Sequence, residues 1–290
     1  MSPPNQTWTV LSILNTTSDY FNKLAVENPR LNAERLLARV LKSDRLQLYL
    51  QFDRILNNHE VDEYRMLVRR RANHEPLQYL MGETEFMGLP YKVNPSVLIP
   101  RPETEILVES VLALRDQYFQ KAPVLWDIGT GSGCIAISLA HLWPDIRIVA
   151  SDISDQALIV AEENARLNHV CDSIMFVKHD IFREEPPDKN NIEIIVSNPP
   201  YISQEELSTL AKEVRDHEPV IALTDAGDGL VFYRRILELI EHCSKCKFVL
   251  LEMSGTQPDA LIALLKDYPV NRFSTIPDLN GHKRVLKLEL

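Results

Sequence analysis

The residues with the most chemical content are Asn198-Pro199-Pro200-Tyr201. They follow Ile192-Glu193-Ile194-Ile195-Val196-Ser197, an apolar, β-branched run that reads as a buried strand. Asn198 brings a side-chain carbonyl, and its backbone carbonyl is a second acceptor. Pro199 and Pro200 have no backbone N–H, so the turn is stiff and poor in donors. Tyr201 adds a flat face on which a planar group can stack. Such a surface suits a planar acceptor bearing an NH2, either a carboxamide or an amino-base. Two carbonyls hold its N–H bonds while its lone pair points at an electrophile. The plainer alternative, a proline-rich loop after a strand, stays open on this tetrapeptide alone.

A second motif supplies a place for the electrophile. Val124-Leu125-Trp126-Asp127-Ile128 reads as a strand, and Gly129-Thr130-Gly131-Ser132-Gly133 as a glycine-rich turn before a helical apolar pattern that begins at Cys134. The spacing is G-x-G-x-G, not the G-x-G-x-x-G of dinucleotide-binding proteins. A further strand, Ile146-Arg147-Ile148-Val149-Ala150-Ser151, ends in Asp152. An acid at the tip of the second strand is where a ribose diol is held. Asp152 equally suits a helix start, with Ser154 nearby, and both roles are compatible. No Walker lysine is present, which argues against a nucleoside triphosphate. A nucleoside without pyrophosphate fits better and points to S-adenosylmethionine, with S-adenosylhomocysteine as product.

With these motifs in place the chain resembles the HemK/PrmC family, the protein-(glutamine-N5) methyltransferases of peptide-chain release factors. The resemblance spans nearly the whole length. It rests on Pro76-Leu77-Gln78-Tyr79-Leu80-Met81-Gly82, on Leu98-Ile99-Pro100-Arg101-Pro102-Glu103-Thr104-Glu105, and on the two motifs above. The Asn-Pro-Pro-Tyr motif is shared with amino-methylating DNA and RNA enzymes, so it specifies chemistry more than substrate. The Ile-Pro-Arg-Pro-Glu-Thr-Glu segment is the more family-specific signal. The resemblance implies adenine contacts at Asp180 and Ile181, although Asp180 can also cap a turn. It places Phe86 and Arg101-Pro102-Glu103-Thr104-Glu105 in the wall of the cofactor and acceptor pocket, where hinge packing is the alternative. It names the acceptor as the glutamine of the Gly-Gly-Gln motif in class one release factors. The residues by themselves stop at a planar NH2 acceptor.

The expected site therefore has Asn198, Pro199 and Tyr201 in the chemistry. Gly129, Thr130, Gly131, Ser132, Gly133, Asp152, Asp180, Ile181 and Asn198 hold the cofactor. Asn198, Pro199, Pro200, Tyr201, Phe86 and Arg101 hold the acceptor. No metal is expected: Cys243 and Cys246 form a C-x-x-C, but Cys134 and Cys171 are isolated.

The elements that position these residues are legible in outline. Ala33-Glu34-Arg35-Leu36-Leu37-Ala38-Arg39-Val40-Leu41 and the stretch 61–72 have helical spacing, and Asn57 and Asn58 sit in the loop before the latter. Residues 1–75 are expected to form a small helical bundle that recognises the partner. Residues 76–102, rich in Pro and Gly, read as a connecting β-hairpin with Thr84-Glu85-Phe86 and Tyr91-Lys92-Val93 as its arms. Residues 103–290 alternate strand and helix and are expected to form a Rossmann-like α/β methyltransferase domain of seven strands. Helices are expected near 154–168, 230–241 and 257–267. Further strands are expected at Ile174-Met175-Phe176-Val177-Lys178, Phe248-Val249-Leu250-Leu251-Glu252, Arg272-Phe273-Ser274-Thr275-Ile276 and Val285-Leu286-Lys287-Leu288-Glu289. The stretch of about 203–228, which includes Glu218 and Pro219, is a candidate lid that Gly227 and Gly229 could make mobile.

Composition sets limits on partners. The chain has 290 residues, 45% of them hydrophobic, enough for two domains with sizeable cores. It has no long uncharged apolar run and no basic-then-apolar leader, and four cysteines suit a reducing cytoplasm. Residues 1–75 carry 11 basic and 9 acidic side chains against 31 and 41 in the whole chain, so the net −10 divides into +2 and −12. The acidic catalytic half is a poor match to a polyanion, which weighs against adenine or guanine of nucleic acid as acceptor. Arg69, Arg70 and Arg71 read as a solvated helix end, or as a docking patch for an acidic partner. A cofactor-binding adaptor without catalysis is a third reading, disfavoured by the intact Asn198-Pro199-Pro200-Tyr201. A monomer is expected.

Overall fold

The computed structural model describes residues 7–255 and 257–290. They fall into two compact units: the chain up to Gly82 together with Lys212–His217, and Glu83–Ala211 together with Glu218–Leu290.

The first unit is helical: α1 Val10–Lys23, α2 Pro29–Leu41, α3 Arg45–Leu50, α4 Asn58–Ala72 and α5 Leu77–Met81. Capping boxes start two of them. Ser12 N donates to Thr9 Oγ1 (3.2 Å) at α1, and Glu60 N donates to Asn57 Oδ1 (3.0 Å) at α4. Asn57 is thus a cap and Asn58 the first helical residue. Phe21, Leu36, Leu37 and Tyr64 fill the core. Fully buried Glu34 stays ionisable because Arg30, Arg45 and Tyr49 all donate to it. Arg71 is no solvated helix end: it is 3% exposed and donates to Asn32 Oδ1 (2.7 Å), to the Glu75 carbonyl (2.9 Å) and to Glu213 of the helix Lys212–His217. Arg70 pairs with Glu75 instead of standing free.

The second unit opens with the antiparallel hairpin β1 Glu83–Phe86 and β2 Leu89–Lys92. It belongs to this unit rather than linking the two. The buried Asn164 side chain accepts from Lys92 N (2.7 Å) and donates to the carbonyls of Lys92 (3.0 Å) and Ser132 (2.9 Å). Helix α6 Pro102–Tyr118 leads into β3 Val124–Ile128, α7 Cys134–Leu142, β4 Arg147–Asp152, α8 Asp155–Leu167, β5 Ile174–Lys178 and β6 Ile192–Ser197. Next along the chain come the short helices α9 Lys212–His217, which belongs to the first unit, and α10 Val220–Leu223 of the second. The chain closes with α11 Val231–Ile240, β7 Phe248–Glu252, α12 Pro258–Leu264, β8 Arg272–Pro277 and β9 Lys283–Glu289.

The strands form one seven-stranded sheet in the order β5-β4-β3-β6-β7-β9-β8. Neighbours are parallel except at β9, which runs antiparallel to β7 and β8. β3 and β7 are buried at every position. Successive residues alternate between faces: Leu125, Ile194 and Leu250 pack with α6 and α7, while Trp126, Ile195 and Val249 pack with α11 and α12. Two-sided burial of this kind, worth roughly 1.5–3 kcal/mol per large apolar side chain, explains the unbroken apolar runs in the sequence. Strand order reverses between β3 and β6, so a crevice opens there beyond the carboxyl ends of the strands.

Candidate active site

The crevice has a volume of about 630 Å³, within the range of small-molecule sites. The glycine turn after β3 forms its floor. Gly129 N and Thr130 N both donate to the Ser151 carbonyl at 2.9 Å, which folds the turn over the end of β4. Gly129 (φ 73°) and Gly131 (φ 56°) hold left-handed conformations that favour glycine. A Cβ on Gly129 would meet no atom within 4 Å and one on Gly131 only a carbonyl oxygen at 4.0 Å, so both bare faces border open crevice. Gly133 plays a different part. It is not among the lining residues, and a Cβ there would stand 2.8 Å from Ile137 Cδ1 and 3.2 Å from Ala161 Cβ. Its bareness lets α7 and α8 approach.

Acids ring this floor. Asp152 lines the crevice, accepting from Gly131 N and Ser154 N at 2.9 Å each. Ser154, not Asp152, caps α8, accepting from Ala157 N at 3.2 Å. Burial pushes the Asp152 carboxyl up, against the pull of those amides. Each oxygen keeps lone-pair capacity for a hydroxyl. Asp180 also lines the crevice; it accepts from Phe182 N (3.0 Å) and sits 3.4 Å from Arg183 Nε. Ile181 and Phe182 complete that wall.

Asn198, Pro199 and Pro200 line the same crevice, with Asn198 half-buried and Pro199 buried. Ser197 Oγ donates to the Ile128 carbonyl (2.7 Å), tying β6 to β3 just before Asn198. Asn198 Nδ2 donates to Thr104 Oγ1 (3.2 Å).

Two expected acceptor contacts lie elsewhere. Phe86 is 2% exposed and packs edge-to-face on Tyr91 at 6.0 Å, inside the core and away from the crevice. An aromatic at a hairpin end that docks on the sheet is drawn inward by its apolar area. Tyr201 is half-buried against the α11 and α12 side of the core and is not a lining residue. Its carbonyl accepts from Gln257 Nε2 (2.7 Å). Arg101 does line the crevice, yet its guanidinium donates to the buried Glu218 at 2.5 Å. Glu218 also accepts from Ile99 N (3.3 Å), so it joins the segment before α6 to the one before α10.

The stretch 203–228 is less open than a free loop. Ile202 N donates to the Leu223 carbonyl (3.1 Å) and Gln204 N to the Gly227 carbonyl (3.0 Å), closing its base. Gly229 is a close-approach glycine: a Cβ would stand 2.6 Å from the Tyr201 carbonyl.

Sequence reading missed three polar groups. Asp127 is fully buried, accepts from Thr130 Oγ1 (2.7 Å) and leaves Oδ1 without a partner, while burial lifts its pKa to about 7. Glu252 is 2% exposed, with Oε2 unpartnered and a pKa that burial likewise lifts to about 7. His179, 5% exposed, has an unpartnered Nδ1. Acids at the ends of apolar strands are the only signal, and it is shared with ordinary caps. Burial raises the Cys243 thiol to about 11 and Cys246 to about 12, so neither is poised as a thiolate. Among the described residues no cluster of His, Cys, Asp or Glu is placed to hold a metal.

The sheet order, the glycine turn and the acid closing β4 define the class of S-adenosylmethionine-dependent methyltransferases. Residues 103–237 match the methyltransferase small domain model and residues 12–82 the PrmC N-terminal domain model. Solved structures share the fold: the catalytic domain of human Mettl16 in complex with a 3′UTR hairpin has TM-score 0.58 at 16% identity, covering 82% of this chain and 83% of that one. The METTL16 N-terminal domain in complex with SAH has TM-score 0.50 at 18% identity, covering 93% of each. A release factor glutamine methyltransferase of Geobacter sulfurreducens is 38% identical over 99% of this chain and 98% of its own. That of Chlorobaculum tepidum is 41% identical over 81% of each. The chain belongs to the release factor glutamine methyltransferase family.

Proposed function

We propose that the chain transfers a methyl group from S-adenosylmethionine to N5 of the glutamine in the Gly-Gly-Gln motif of class one peptide-chain release factors. One observation carries this reading: the donor-poor Asn198-Pro199-Pro200 turn and the glycine turn of β3 open onto one crevice. The names of relatives matched over nearly their full length support the acceptor.

The crevice suits the cofactor on its own features. Bare glycine faces and the Asp152 carboxyl group offer space and acceptors for a nucleoside and an amino-acid moiety. Residues 129–132 would cradle it, Asp152 would hold the ribose diol, and Asp180 with Ile181 would take the adenine. When bound, it supplies an electrophilic methyl carbon on sulfur.

The protein's part is alignment. Holding reactants in line is worth on the order of 7–11 kcal/mol. A carboxamide nitrogen is a weak nucleophile because its lone pair is delocalised. Asn198 Oδ1 and the Pro199 carbonyl would accept its two N–H bonds and favour a pyramidal nitrogen. Their pull strengthens as positive charge builds on nitrogen, so it serves the transition state more than the ground state. No side chain is needed as base; the proton departs to water after transfer. Pro200 completes the turn's face, Arg101 shapes the wall through Glu218, and Tyr201 and Phe86 support from the core side. The helical unit is proposed to grip the partner, and the working state to be a cytoplasmic monomer with no nucleic-acid substrate. Among the described residues no helix is long and apolar enough to cross a membrane.

The test incubates the chain with labelled S-adenosylmethionine, a release factor and DNA. Label on the release factor glutamine, lost in Asn198→Ala, is the expected result. Label on DNA alone overturns the acceptor, and label on neither overturns catalysis.

A further inference from the structure

Anything that brings a carboxamide to Asn198 must cross the rim of the crevice beside the Asn-Pro-Pro turn. Helix α10 forms part of that rim. Backbone pairing places it there: Ile202, just past the turn, bridges in parallel to Thr224, and Ile202 N donates to the Leu223 carbonyl (3.1 Å). Pro219, Val220, Ile221 and Ala222 all line the crevice. Leu223 is buried, whereas Val220 and Ile221 are 53% and 55% exposed. Among the described residues, neither of these two belongs to a buried apolar cluster. The rim is nevertheless fixed. Glu218, at the head of α10, accepts from Arg101 and from Ile99 N, and Ala222 N and Thr224 N donate to the carbonyls of Pro219 (2.9 Å) and Val220 (3.1 Å). A preformed apolar surface binds without the cost of ordering itself first.

The charges around the crevice point the same way. Asp152, Asp180 and Asp225 line it, and the two arginines that line it already face carboxylates: Arg101 donates to Glu218 at 2.5 Å, and Arg183 Nε lies 3.4 Å from Asp180. A phosphodiester would have to displace a carboxylate to recruit either cation. We propose that Val220 and Ile221 form an apolar shelf that receives the main chain of the acceptor protein beside its glutamine, at a mouth whose acids turn away a nucleic-acid backbone. A Gly-Gly-Gln stretch offers bare main chain and the methylenes of glutamine, which can lie closely on two adjacent β-branched side chains. The shelf binds the acceptor and takes no part in methyl transfer. The inference rests on the proposed function and names how the same site chooses its substrate class.

The experiment measures steady-state kinetics with labelled S-adenosylmethionine and a release factor, or a single-stranded DNA oligonucleotide, as acceptor. The variants are Val220→Ser with Ile221→Ser, Val220→Ile with Ile221→Val, and Asn198→Ala; cofactor Kd and Tm are measured alongside. The double serine variant removes the apolar surface, and its KM for the release factor should rise about tenfold or more while kcat at saturation and cofactor Kd change little. The Ile/Val exchange keeps that surface and should hold KM within about threefold of wild type. No label should reach the oligonucleotide. An unchanged KM in the double serine variant, with Asn198→Ala inactive, overturns the shelf and leaves the site reading intact. A loss that follows Tm or cofactor Kd instead of KM reduces the two residues to support of the fold and also overturns it. Label on the oligonucleotide from the wild-type protein overturns the exclusion of nucleic acid. Full activity in Asn198→Ala overturns the site reading on which the shelf rests.

Discussion

Asn198 meets three constraints at once: the end of a buried strand, a turn stripped of donors, and a buried hydroxyl behind it. Asn198→Ala is expected to lose about 100–1,000-fold in kcat, the scale of removing one transition-state hydrogen-bonding group. Its cofactor Kd should stay within a few-fold, as isothermal titration will show. Gly133→Ala tests a different demand. A left-handed φ of 81° and a Cβ 2.8 Å from Ile137 Cδ1 both oppose it, and it should cost about 1–3 kcal/mol by denaturant melts. The sequence disclosed the Asn-Pro-Pro turn and the glycine turn because both depend on backbone chemistry written in Pro and Gly. It did not disclose that Gly133 sits where α7 and α8 approach closely, since bareness for packing and bareness for a ligand look alike. Nor did it disclose that Phe86 and Tyr201 face the core, because an aromatic at a strand end points either way until the sheet is assembled.

Between elements, the crevice walls are joined by Glu218. It is buried and takes Arg101 on one side and the Ile99 amide on the other. Arg101 is about one-third exposed, so solvent weakens the pair. Glu218→Gln keeps a neutral acceptor, whereas Glu218→Ala leaves both partners unanswered. Destabilisation of about 1–3 kcal/mol is expected for the alanine variant and less for the glutamine. KM for the release factor should rise more than kcat falls, because a wall moves rather than the reacting turn; steady-state kinetics will separate the two. The strands and most helices were legible because two-sided burial and helical spacing leave strong periodic signals; the order of the strands in the sheet was not. The short helices α9 and α10 were not. Four to six residues carry no period, and these are set by tertiary partners such as Arg71 and Glu218.

For the molecule as a whole, two buried acids tie stability to pH. Burial raises Asp127 and Glu252 from ordinary carboxylate values to about 7. A raised folded-state pKa means the native protein holds protons that the unfolded chain has released. Their contribution is therefore full below the unfolded values near pH 4 and is lost as pH rises through about 7. The ligand-free protein should lose on the order of 2–4 kcal/mol per acid between pH 5 and 7.5. Asp127→Asn should flatten that slope in melts across the range. A steeper stability at pH 7.5 than at pH 5 sinks this assignment.

The chain leaves the catalytic unit after Ala211, contributes Lys212–His217 to the helical unit, and returns at Glu218. Arg71 and its partner Glu213 lie 142 positions apart. A nascent chain thus exposes its first helices to the cell well before the residue that neutralises their buried guanidinium has been synthesised. The amino-terminal module is therefore incomplete until the chain has been made as far as Glu213, and a gene fragment ending before Glu213 encodes it without that partner.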